Sequence, residues 1–158
     1  MKQFLLLAAV LNIAFCYCQN KDDYQDMSAD QYISLLIANK YPKYHLIPRL
    51  NKADIPVLLK NAGNNTLIDN YPLPSFSAAN HGKQKAGMII LYTIESIRTQ
   101  KENGIATHPY ISDTTDLQRK VGLEELVPLY NSWWEQHKNK TAEELKNTDP
   151  LAGTPFRW

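Results

Sequence analysis

The chain has 158 residues, 44% of them hydrophobic, with 17 Lys and Arg against 16 Asp and Glu. That length fits one domain, and so balanced a charge leaves no electrostatic footprint for nucleic acid or an anionic membrane. Both cysteines, Cys16 and Cys18, sit near the N-terminus, so the body of the chain has no disulfide framework, cysteine nucleophile or cysteine-ligated zinc.

The first residues have the layout of an export signal. Lys2 is followed by an apolar run from Phe4 to Phe15, broken only by Asn12. A dozen residues are too few for a bilayer core, which needs roughly 20. Residues 1–18 therefore read as a secretory signal peptide, and 19–27 as a polar tether. Removing Lys2 with the leader brings basic and acidic residues to parity. A cut after Cys18 would put Cys16 and Cys18 at the small-residue positions of a peptidase site. The competing outcome is lipidation of Cys18, with Cys16 as the alternative. Each follows an aromatic residue, a poor lipidation context, but Gln19-Asn20-Lys21-Asp22-Asp23 resembles the lysine-plus-acidic export tag of Bacteroidetes surface lipoproteins. The expectation is an exported envelope protein, anchored or released, that meets the membrane only through an N-terminal lipid.

Residues 28–158 read as a single small all-α domain of about 4–6 helices with long irregular loops. Ser28 and Gln31 form a capping-box pattern, and Tyr32, Leu35, Leu36 and Asn39 carry helical spacing over 29–40. Tyr41-Pro42 ends that helix. Asp54 is placed to cap a second, with Pro56 in its first turn, Val57-Leu58-Leu59 as its buried stripe and Gly63 as its stop. Residues 64–84 form a long stretch without helical period. Lys85 to Lys101 is apolar around most of its circumference, which predicts a central, largely buried helix. Asp116 is placed to start a short helix interrupted by Gly122. Leu123 to Lys138 continues helically around Pro128, with Leu126, Tyr130, Trp133, Trp134 and His137 on one face. Thr141 and Glu144 repeat the capping-box pattern, and Leu151, Phe156 and Trp158 predict a tail packed back on the body.

The blocks DIPVLLKNAGNNTLIDNYPLPSFS, GMIILYTIESIR, YNSWW and DPLAGTPFRW, together with the leader, resemble a family of small exported Bacteroidetes proteins whose domain has no assigned function. The resemblance implies export and a single domain and carries over no site residues.

Candidate sites come from the residues alone. Asn80, His81 and Lys83 lie where the long loop meets the central helix, and His with Lys at a helix N-terminus suits an anion, although the spacing is not that of a phosphate-binding loop. Trp133 and Trp134 offer aromatic surface for a sugar ring, but neighbours on a helix point about 100° apart, so one buried and one partly exposed ring is expected. Glu95 and Arg98 are three apart on the central helix, within pairing reach. The histidines show no metal spacing. No metal, cofactor or catalytic constellation is expected. The reading is a non-catalytic protein that binds a protein or glycan partner, and the alternative is a hydrolase using His81 with Glu95 or Asp69.

Overall fold

A computed structural model describes residues 24–42, 45–73, 82–101 and 109–158. The leader, Cys16, Cys18, Phe76, Asn80 and His81 lie outside the described residues.

Helix α1 spans Ala29–Ile37, and its capping box is present: Gln31 N donates to Ser28 Oγ at 3.3 Å, and Ser28 N to Gln31 Oε1 at 3.0 Å. The helix stops short of 40 because Asn39 turns left-handed, at φ 56°. Helix α2 spans Ile55–Asn61 behind a single 3-10 turn at Lys52–Asp54. Asn51, not Asp54, caps this unit: its side chain accepts from Ala53 N, while Asp54 reaches back to Asn51 N at 2.8 Å. Asp54 stands at the N-cap position of α2 but makes no side-chain bond to it, because the 3-10 turn starts the helical path three residues earlier.

Helix α3, Ala86–Thr99, runs through the core. Nearly all of its residues are buried, Ile90 and Ile94 fully so, as the wide apolar surface requires. Gly87 is where α2 meets it. A Cβ there would lie 2.1 Å from the Ala62 carbonyl oxygen and 2.6 Å from Leu123 Cδ1, so only glycine permits this approach. Helix α4, Leu123–His137, carries Pro128 inside it and buries Leu126, Tyr130 and Trp133. Helix α5, Ala142–Leu145, opens on the expected Thr141–Glu144 box.

The fold is mostly helical but not purely so. Strand β1 (Leu67–Ile68) pairs antiparallel with β2 (Gln84–Lys85), and β3 (Ser112–Asp113) with β4 (Phe156–Arg157). The first pair closes the ends of the long 64–84 stretch, where Tyr71 and Leu73 are buried and Tyr71 OH donates to Gly82 O at 2.9 Å. The second ties the tail to the body, and Leu151 and Phe156 are buried there. The expected helix at Asp116 is instead a tight turn, with Gln118 N donating to Asp116 Oδ1 and Arg119 N to Asp116 O. An aspartate that bonds two residues on favours a turn over a helix start.

Candidate functional site

The charges on α3 are structural. Glu95 is 1% exposed. Its Oε2 accepts from Arg98 Nε at 2.9 Å and Nη2 at 2.7 Å, and its Oε1 accepts from Tyr130 OH at 2.9 Å. The Tyr130 oxygen in turn accepts from Trp158 Nε1 at 2.8 Å. Arg98 Nη1 donates to the carbonyls of Lys146 and Thr148. Burial pushes the Glu95 carboxyl upward, and Arg98 and Tyr130 pull it back. The network pins the segment after α5 and the tail to the central helix, and it uses both oxygens of the carboxylate. A general acid or base needs a substrate within hydrogen-bond reach. Glu95 faces protein on every side that these bonds define.

Asp69 is exposed and accepts from Asn39 Nδ2 at 2.8 Å. The start of α3 is not an open anion cradle either: Ala86 N and Gly87 N donate to Thr66 O and Asn64 O, both at 2.8 Å. Trp133 is buried, with its Nε1 donating to Thr148 Oγ1 at 2.8 Å. Trp134 is half-buried beneath Lys52, whose ammonium sits 5.9 Å from its ring centroid. The two indoles are tilted 47° to one another, so they present no common stacking face. Among the described residues, no three His, Cys, Asp or Glu side chains gather to hold a metal, and no helix is long and apolar enough to cross a membrane.

Lys83 belongs to a different arrangement. It stands on the rim of a groove of about 620 Å³ between β1 and β2 on one wall and the 110–124 segment on the other. Among the described residues, the large apolar side chains left exposed are Leu67 (60%), Tyr110 (53%) and Leu117 (81%), and all three line this groove. Leu67 is outward because alternation along β1 sends Ile68 into the core. Leu117 is outward because it rides the tip of the Asp116–Arg119 turn.

That turn is braced from below. Asp113, 2% exposed, accepts from Thr115 Oγ1 at 2.6 Å and Thr115 N at 2.8 Å through one oxygen, and from Arg119 Nη1 at 2.7 Å through the other. The Thr115 hydroxyl first, and then Arg119, hold the Asp113 carboxyl well below the usual carboxylate range. Arg119 also pairs with Glu125 and lies over the Phe156 ring at 5.5 Å. A firmly held turn thus carries an almost fully exposed leucine. Among the described residues, Lys83, Lys85 and Lys120 line the groove with one acid, Glu124, while the Arg119 charge is already matched.

Sequence reasoning reached Lys83 but missed Leu67, Tyr110, Leu117, Lys85 and Lys120. The available signal was that Leu117 is an isolated apolar residue in a polar, turn-forming stretch, where nothing local calls for it.

The fold and this surface define a small, mostly helical domain with a preformed apolar groove edged by lysines. A family model described as a domain of unknown function, DUF4943, matches residues 23–158, and the chain belongs to that family. No curated protein and no solved structure matches the chain.

Proposed function

We propose that the protein is a non-catalytic, exported binding protein, held at the cell envelope by a lipid on Cys18 (or Cys16) or released by a cut after Cys18, and that its groove takes an extended segment of a partner protein. The observation that carries this reading is the convergence of Leu67, Tyr110 and Leu117, each more than half exposed, in one concavity. Clustered apolar exposure marks interaction surfaces, whereas scattered exposure is ordinary. A groove that is already shaped saves its occupant part of the ordering cost of binding. Charge selects the occupant: Lys83, Lys85 and Lys120 against Glu124 favour a segment whose apolar residues are flanked by Asp and Glu.

Selection from a displayed random 12-residue library against the mature chain tests this. Acidic-flanked apolar sequences should be enriched, and Leu67→Ser with Leu117→Ser should abolish their capture. Enrichment of basic or purely polar sequences, or capture unchanged in the double variant, would refute the groove as the site. The anchor is tested separately by mass spectrometry of the mature N-terminus: a lipid-modified Cys18 or Cys16 supports anchoring, and a free Gln19 supports release.

A further inference from the structure

The C-terminal end of α3 borders a second, smaller pocket of about 320 Å³, at the lower end of the range for small-ligand sites. Among the described residues its lining includes Arg49, Lys52 and Lys101 and no Asp or Glu. Arg49 meets Asp26 at 3.5 Å with both side chains more than 70% exposed, a weak pair. Lys101 forms no ion pair with any described residue, while the Lys52 ammonium rests over the Trp134 ring and lies near enough to the Glu144 carboxylate to help lower its pKa.

The residue that closes this helix end is unusual for its place. Both α1 and α3 finish in the same turn, with Lys40 N donating to Leu35 O and Lys101 N to Ser96 O across a left-handed residue. Glycine or asparagine normally occupies that position. At α1 the residue is Asn39, and its side chain explains the choice: it bonds Asp69 Oδ1 and the backbone N–H groups of Asp69 and Asn70. At α3 it is Gln100, with φ 55°. Its amide bonds no described residue, yet Gln100 lines the pocket. Gln100 is exposed, and a left-handed backbone at a residue whose amide bonds no described residue is a reason to look for a ligand.

We propose that this pocket binds a small carboxylate-bearing polyol, the chemistry of a sugar acid. Lys101 receives the carboxylate, and Lys52 at the pocket wall adds a second positive charge. The Gln100 and Gln25 amides, each with donors and an acceptor, serve the hydroxyls, and the floor that includes Ile97 takes a C–H face of the ring. This site is independent of the peptide groove.

The test is an NMR-detected titration of the mature chain with D-glucuronate and D-galacturonate, beside neutral D-glucose and D-galactose and hydroxyl-free succinate. At least one uronate should bind about tenfold more tightly than the neutral sugars and succinate, with shifts at Gln100 and Lys101. Gln100→Gly relieves the backbone strain, so it should melt at or above the wild-type temperature while losing about tenfold in uronate affinity, the scale of a lost hydrogen bond to a charged or polar ligand. Lys101→Gln should lose a similar factor. Absent uronate binding, equal binding of the neutral sugars or of succinate, or wild-type affinity in Gln100→Gly would each overturn the assignment.

Discussion

Around Glu95 the bonding groups of a buried network are matched to one another, whereas along the groove three large apolar side chains are left to water. Both regions draw on α3: the network sits toward its C-terminal end, and Met88 in its first turn lines the groove. The contrast separates two meanings of an out-of-place residue. A buried carboxylate looks functional in a sequence, yet its partners here fasten helices and tail together. An exposed leucine looks unremarkable in a sequence, yet Leu117 is held out by a braced turn. Buried charge is kept only where it is paired, so its presence reports architecture first. Exposed apolar surface gathered in one hollow has no such structural account.

The sharpest way to break this contrast is to remove one partner from the network. Arg98→Met leaves Glu95 buried without its cation and should cost about 3–5 kcal/mol in a urea melt. A loss under about 1 kcal/mol would mean that water reaches the carboxylate and that the network is not structural. Gly87→Ala forces a Cβ onto the Ala62 carbonyl and should cost about 1–3 kcal/mol by separating α2 from α3. An unchanged melt would place that helix contact elsewhere. Trp158→Phe removes the indole N–H that donates to Tyr130 and should cost about 1 kcal/mol, with the tail still docked through Leu151 and Phe156.

The remaining test reads a slope. The folded-state pKa of Asp113 lies below its unfolded value, so its contribution is fully present above about pH 4–5 and is lost as pH falls toward the depressed value. In Asp113→Asn the stability profile should be flatter below about pH 5. Identical acid slopes in the two proteins would mean that the carboxylate does not brace the Leu117 turn.

Some of this was legible in the sequence, for local reasons. The Ser28–Gln31 and Thr141–Glu144 boxes are three-residue patterns whose bonds need nothing from the rest of the chain. The apolar circumference of α3 required burial. The expected pairing of Glu95 with Arg98 came from helical spacing, and the expected burial of one indole from the angle between neighbours. The two small sheets were not legible. Each strand has two residues, too few for alternation to register, and Leu67 meets Lys85 and Asp113 meets Phe156 only through the tertiary fold. The groove was hidden for the same reason. Leu67 is far along the chain from Tyr110 and Leu117, and one or two apolar residues in a polar stretch carry no period. Gln100 was hidden because its left-handed backbone, not its side chain, is what marks it.

The most direct test of the central claim is a calorimetric titration of one library-selected acidic-flanked peptide into the wild type, Leu117→Ser and Trp158→Phe, each checked by its melt. Leu117 is 81% exposed, so Leu117→Ser should change stability by no more than about 0.5 kcal/mol while weakening the peptide at least about tenfold. Trp158→Phe should do the reverse, melting earlier and binding within about twofold of the wild type once folded. Wild-type affinity in Leu117→Ser, or a tenfold loss in Trp158→Phe, would contradict the division of the molecule into a structural network and a binding groove.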